Sequence, residues 1–305
     1  VTAVRVTVPA SSANLGPGFD ALGMALALYD VVEVRLGGRD VRGTVAGEGA
    51  DLVVDEKHLV ARALASTAAH LGCDLPGLEL TCVNQIPHAR GLGSSAAAVV
   101  AGVAAGYALA GRALDETALQ LAAEFEGHAD NAAASLLGGL VLAWSEQDGP
   151  SGPTPGSPRY HAVRLDPHEA LRPVVFVPNE RSATALTRGL LPVEVPHADA
   201  AFAAGRCALA VHALTVRPDL LLPATADRLH QDYRAQAWPN TMRLVRELRE
   251  NAVAATVSGA GPAVVAMTLD GRVPAGVDTA GFTVRELAVD RNGVRVEPLE
   301  QIRGR

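Results

Sequence analysis

Two α+β halves, meeting near residues 150–165, are what the amino-acid sequence predicts. Three observations carry that reading. Segments rich in β-branched residues alternate with segments of helical spacing in both halves, the pattern of two layered α+β units. The 305 residues are 49% apolar, enough for one large domain or two medium ones with a sizeable core. Residues 148–159, DGPSGPTPGSPR, are dense in Gly, Pro and Ser and make the best linker or exposed loop in the chain. Aromatic residues are only 4%, so the core has to be built from Ala, Val and Leu.

Residues 5–8 and 31–36 read as strands on either side of a Gly-rich loop over 11–23. Residues 60–71 read as a helix with Leu64 and Ala68 on one face. Residues 78–84 read as a strand that leads into a glycine turn and an alanine-rich helix. A second helical stretch covers 114–125, and 138–144 reads as a strand. In the second half, 172–177 is a strand, 198–214 and 242–251 are helices, and 254–269 reads as strand, glycine turn, strand. Residues 282–289 and 293–296 flank Arg291-Asn292-Gly293 and predict a hairpin of the Asn-Gly type.

The net charge of -7, without a basic run, argues against nucleic acid or an anionic membrane as partner. Cys73, Cys82 and Cys207 have no metal-ligand spacing and fit buried free thiols in a reducing, cytoplasmic compartment. Residues 1–9 read as a strand and not as a secretory signal. Residues 91–111 carry no charge and contain Gly102-x-x-x-Gly106, yet they are mostly Ala and Gly. That is too weakly apolar for a membrane span, and a buried helix is expected.

The run PHARGLGSSAAA, residues 87–98, is the first candidate for chemistry. Gly91 and Gly93 tolerate backbone angles that a side chain forbids and let a ligand approach the main chain. Ser94 or Ser95 can cap the helix that begins there. Unpaired N–H groups at that helix end attract anions, and a nearby hydroxyl can reach a magnesium ion on a phosphate. A capped buried helix without a ligand has the same signature. The Walker A pattern is absent.

Two further segments, PASSANLGPGFDALG at 9–23 and VSGAGPAVVAM at 257–267, accompany it in a fixed order. The set resembles the small-molecule kinase superfamily named for galactokinase, homoserine kinase, mevalonate kinase and phosphomevalonate kinase, the GHMP kinases. The resemblance spans nearly the whole chain. Within the superfamily, EFEGHADNAAASLLGGLVLA (124–143), SATALTRGLLP (182–192) and DYRAQAWP (232–239) are similar to stretches of the homoserine kinases. Ala129, Ala183 and Thr187 depart from the commonest residues there without removing a charge or a donor.

The resemblance implies a two-domain GHMP kinase fold. Residues 1–160 would form an N-terminal ATP-binding domain resembling ribosomal protein S5 domain 2, and 161–305 a C-terminal ferredoxin-like α/β sandwich. It implies Mg2+-assisted transfer of the ATP γ-phosphoryl group to the side-chain hydroxyl of L-homoserine, on the route to threonine. Members are commonly homodimers.

The same resemblance places the phosphates on Pro87, His88, Ala89, Arg90, Gly91, Leu92, Gly93, Ser94, Ser95, Ala96 and Ala97. It makes Ser94 and Glu124 the magnesium ligands. Glu126 competes two residues on, because a helix cannot aim both the same way. Homoserine is a zwitterion, and its carboxylate calls for a planar cationic fork, for which Arg188 and Arg234 are the candidates. Asp20 with Asn14 can accept from the ammonium, and Thr184 and Gly259 complete the substrate set. His128 is expected against the substrate or the loop. Asp130 and Asn131 are expected at the reacting groups, with Asp130 orienting its neighbours, since a loose transition state needs no strong base. A superfamily kinase for mevalonate or a sugar would lack the paired arginines and the EGHADN stretch. A non-catalytic ligand sensor on this fold would have lost a loop glycine, Ser94 or the acidic ligand.

Overall fold

A computed structural model describes residues 2–146, 158–179 and 189–299. The larger sheet has seven strands. Strands β1 (Ala3–Ala13) and β2 (Leu22–Leu36) pair antiparallel, with a register shift between Pro9 and Ala10. Val4, Val6 and Val8 point into the core on alternate positions, as the period of a strand requires. β2 is long enough to change partners. Its residues 31–36 pair β4 (Leu78–Asn84), and Leu22–Met24 pair β5 (Leu140–Glu146). β3 (Val41–Gly47) runs parallel to β4, and β6 (Arg159–Leu165) runs antiparallel to β5. From the far end of the chain, β11 (Arg295–Pro298) pairs β1.

Four helices cover this sheet: α1 (Leu59–His70), α2 (Ser94–Leu109), α3 (Glu116–Glu126) and α4 (Asp130–Leu137). α2 is buried on nearly every side, which suits an uncharged helix of Ala, Val and Gly. A Cβ on Gly102 would lie 2.5 Å from the Val60 carbonyl oxygen, and one on Gly106 would lie 2.7 Å from Thr67 Cγ2. The Gly-x-x-x-Gly pair therefore lets α1 close onto α2 inside the core. Among the described residues no helix is long and apolar enough to cross a membrane.

The smaller sheet is antiparallel, in the order β10 (Phe282–Glu286), β7 (Arg172–Pro178), β9 (Val264–Thr268), β8 (Ala254–Val257). Helices α5 (His197–Thr215), α6 (Leu221–Ala224) and α7 (Pro239–Glu250) complete this part. Alternate β7 side chains serve two cores. Val174 and Phe176 cluster with Met242, Val245 and Leu248 of α7. Val175 and Val177 join the large core with Ala210, Ala213 and Leu214 of α5.

Several expectations are corrected here. The Asn-Gly segment makes no hairpin: β10 pairs β7 and β11 pairs β1, in different sheets. Asp290 explains it, since its Oδ1 accepts from the N–H groups of Asn292 and Gly293, while Val294 N donates to Leu136 O. That turn is fastened to the end of α4 and carries the chain from one sheet to the other. The strand expected from residue 138 begins at Leu140, because Gly138 and Gly139 are both left-handed. Strands β3 and β6 and the short α4 were not anticipated. Of the three thiols, Cys82 is buried and Cys73 and Cys207 are partly exposed; all three are free. Residues 148–157 of the expected linker lie outside the described residues.

Candidate active site

The three glycine-rich segments meet although they lie far apart in sequence. β1 runs to Ala13 and β2 begins at Leu22, so the first loop is shorter than the sequence suggested. In it, Asn14, Leu15 and Asp20 hold left-handed backbone angles, at φ 68, 47 and 55°. Such angles are uncommon for residues with a Cβ and mark a backbone held by its surroundings. Asn14 supplies the hold: its Oδ1 accepts from Asp20 N at 3.0 Å and its Nδ2 donates to Gly259 O at 2.8 Å. Gly259 N in turn donates to Ala13 O. Ser258 closes the triangle by donating to Gly91 O at 2.6 Å and sharing a hydrogen bond with Ser12 Oγ at 2.8 Å.

The second loop takes a left-handed angle at every other residue: Ala89, Gly91 and Gly93 have φ of 54, 79 and 68°. Alternation of this kind turns successive N–H groups toward one concavity that suits an anion. Neither Ser94 nor Ser95 caps α2, contrary to expectation; Gly93 is the N-cap and offers no side chain. The helix end thus keeps its N–H groups for a ligand. Gly91 has no room for a Cβ, which would lie 2.4 Å from Ser258 O. Gly91→Ala should lower stability by about 2 kcal/mol or more, checked by thermal melts.

The chain enters this loop past Asp30, a buried β2 carboxylate whose Oδ1 accepts from Gln85 N at 2.7 Å and Ile86 N at 2.9 Å. Burial pushes its pKa up to about 6, partly offset by those two bonds. A carboxyl group with a raised folded-state pKa stabilises the fold most below its unfolded value, and this contribution is lost as pH rises through about 6. Between pH 4 and 7 the wild type should therefore lose about 2 kcal/mol relative to Asp30→Asn, measured by denaturant melts at both pH values.

A cleft of about 270 Å³ opens between the three segments. Asn14, Phe19, Asp20, Ala89, Arg90, Gly91, Gly93, Ser94, Ser95, Glu126, His128, Asp130, Asn131, Arg234 and Gly259 line it, with Ala13 and Ala260. The side chains of Pro87, Leu92 and Ala96 are packed away from it, in keeping with a loop that binds through its main chain. The guanidinium of Arg90 reaches Pro178 O and Glu48, tying the loop to the end of β7. Asp130 is buried, and its Oδ1 accepts from Asn131 N and from His128 Nδ1, each at 2.7 Å. Asn131 Oδ1 accepts from Ser11 Oγ at 2.9 Å, which leaves the amide NH2 as the group able to donate into the cleft.

Glu124 and Glu126 end α3 differently. Glu126 lines the cleft and accepts from Ser95 Oγ at 2.5 Å. Glu124 is not among the lining residues, and its Oε1 accepts from Gln120 Nε2, one turn back, at 2.9 Å. The phase of α3, which buries Ala118, Leu119, Leu121 and Ala122, sets this choice. Arg234 reaches the cleft from the second half of the chain, only 1% exposed, over the ring of Phe19 at 5.7 Å. Thr184 and Arg188 lie outside the described residues. The sequence had not singled out Phe19 or the residues behind Arg234. The nearness of His230 in sequence, four residues before Arg234, is the available signal.

A second cavity, of about 380 Å³, shares Ser94 and Ser95 with the cleft. Its lining includes the apolar Leu52, Val53, Val60 and Ala97 and the polar Asp30, Asp55, Lys57, His58, Asn84 and His88. Burial lowers the His58 pKa and favours the neutral ring. This cavity has a largely apolar surface and adjoins the N-terminus of α2.

Comparison with known proteins finds relatives that cover nearly the whole chain. Residues 58–139 match the family model described as the GHMP kinases N terminal domain. The chain is 50% identical over 304 residues to the homoserine kinase of Streptomyces avermitilis, covering 97% of this chain and 96% of that protein. It is 52% identical to the homoserine kinase of Streptomyces coelicolor, covering 97% of this chain and 95% of that one. Its fold superposes on the crystal structure of homoserine kinase from Cytophaga hutchinsonii with a TM-score of 0.80 at 26% identity, covering 97% of this chain and 98% of that one.

Proposed function

The chain belongs to the homoserine kinase family of the GHMP kinases, and we propose that the cleft between its three glycine-rich segments is where it transfers the γ-phosphoryl group of ATP to the side-chain hydroxyl of L-homoserine, giving O-phospho-L-homoserine and ADP. One observation carries the assignment. A helix N-terminus, a carboxylate and a buried arginine, drawn from three distant parts of the sequence, face a single cavity.

Phosphoryl transfer asks mainly for positioning and for stabilisation of charge. The N–H groups of residues 89–95 and the end of α2 receive the phosphates, while the neighbouring apolar cavity takes the nucleobase. Arg234 receives the substrate carboxylate, with Arg188 as its proposed second partner from the sequence. Asp20, its backbone fixed by Asn14, receives the ammonium. These two contacts leave the side-chain hydroxyl pointing to the phosphate end. There, the Asn131 amide can donate to an oxygen of the reacting groups. Asp130 is already engaged by Asn131 N and His128, so its role is to orient them.

A carboxylate beside a phosphate-binding helix end repels the phosphates unless a cation lies between them. Glu126 and the hydroxyls of Ser94 and Ser95 form an oxygen-only donor set of the kind Mg2+ accepts, the rest of its shell coming from water and phosphate. We propose Glu126, not Glu124, as the acidic ligand, together with Ser94. When bound, the ion would neutralise phosphate oxygens and hold them in register.

The test is ADP release with Mg-ATP and a panel of homoserine, serine, threonine, mevalonate and galactose, with identification of the phosphorylated product. Release with homoserine alone is expected. Release with another member and not with homoserine would overturn the assignment of the amino-acid pocket.

A further inference from the structure

Arg234 is a charged side chain sunk to 1% exposure, so its direction must be set by what surrounds it. His230, four residues earlier and fully buried, lies against it. Arg234 donates to His230 Nδ1 at 2.7 Å. A guanidinium has only donors, so Nδ1 must be the lone-pair nitrogen and Nε2 must carry the proton. That Nε2–H donates to Gly16 O at 2.8 Å. Both ring nitrogens are thus committed, one to Arg234 and one to the first glycine-rich loop.

Each end of this link is itself immobilised. Gly16 has φ +87°, and a Cβ there would lie 2.6 Å from Thr225 O, so the loop is pressed against its neighbour. Phe19 packs against the imidazole with ring centres 5.4 Å apart. Asp227 fixes the backbone of the turn by accepting from Leu229 N, His230 N and Gln231 N. Its Oδ2 is 3.8 Å from His230 Nε2, beyond hydrogen-bond reach. Gln231 Oε1 accepts from Val257 N at 2.6 Å, immediately before Ser258. One turn therefore joins Arg234, the first loop and the third loop. Burial holds the imidazole pKa below its usual value, which keeps the ring neutral beside the guanidinium.

We propose that His230 is a positioning residue for the amino-acid end of the cleft, its neutral Nε2–H imidazole holding the Arg234 guanidinium and the Gly16 carbonyl in one fixed relation. This rests on the reading of Arg234 as the receiver of the substrate carboxylate. The link acts on homoserine and not on ATP, because neither of its partners belongs to the phosphate loop.

His230→Leu, His230→Gln and Arg234→Lys separate the possibilities by steady-state kinetics, with thermal melts as a control. In folded His230→Leu the KM for homoserine should rise about tenfold or more, with the KM for ATP within about twofold. His230→Gln, whose amide can accept from Arg234 and donate to Gly16, should recover most of the loss. An unchanged homoserine KM in His230→Leu, alongside a raised one in Arg234→Lys, overturns the role of His230 and leaves the reading of Arg234 standing. An unchanged homoserine KM in Arg234→Lys overturns that reading itself. Equal rises in both KM values in His230→Leu show general loosening and also overturn the proposal. Should His230→Leu not fold, His230→Gln is set against His230→Asn, one methylene shorter and unable to span both partners. Equal homoserine KM values in that pair overturn the link.

Discussion

Arg234→Ala should lower kcat/KM for homoserine by about two to three orders of magnitude while leaving the KM for ATP within about twofold. The size follows from burial. A carboxylate drawn into such a site loses its water, and removing Arg234, one of its two proposed charged partners, leaves much of that cost unmet. The truncation also leaves His230 Nδ1 without the donor that now lies 2.7 Å away. Arg234→Lys separates charge from geometry, since it keeps the positive charge and loses the planar fork. It should retain part of the activity and most of the stability. Full homoserine turnover in Arg234→Ala, in protein that melts as the wild type does, would remove Arg234 from the substrate site.

Glu126→Gln should lower kcat by about 10²–10³-fold, whereas Glu124→Gln should stay within about threefold of wild type. The two residues are separated by one position on α3, yet only Glu126 lines the cleft and bonds Ser95. The amide keeps the shape of Glu126 and can still accept from Ser95, so the fold should survive. What it loses is the charge that would hold a cation against the phosphates. The loss should deepen as Mg2+ is lowered and ease as it is raised, read from turnover at several Mg2+ concentrations. The reverse ranking of the two variants would return the metal to Glu124.

Both results depend on residues whose types were legible in the sequence and whose directions were not. Arg234 stood out within DYRAQAWP, but nothing linear shows that it is buried or that His230 stands behind it. The resemblance pointed to Glu124 with Glu126 as its competitor; a two-residue step on a helix turns a side chain to another face, and only the packed face of α3 tells which one lines the cleft. Ser caps so often that the sequence offers Ser94 or Ser95 as the cap of the helix. Here Gly93, at φ 68°, took the cap position and left Ser95 free to reach across to Glu126. The Asn-Gly segment carried a local turn signal that was correct as a turn. Its strands went to different sheets because the pairing edges available, on β7 and on β1, were in different places.

By itself the sequence determined the local matters: the strand over residues 78–84, the helix that follows Gly-Leu-Gly, the three glycine-rich segments and the family they point to. Those depend on periodicity, on backbone freedom and on short motifs, all of which act over a few residues. Only the tertiary structure decided which carboxylate of α3 lines the cleft, that Arg234 is buried beside it, and how Ser258, Asn14 and Gly91 are stitched into one wall. Those are contacts between residues up to 246 positions apart. They follow from how the two sheets pack, and no local preference encodes that.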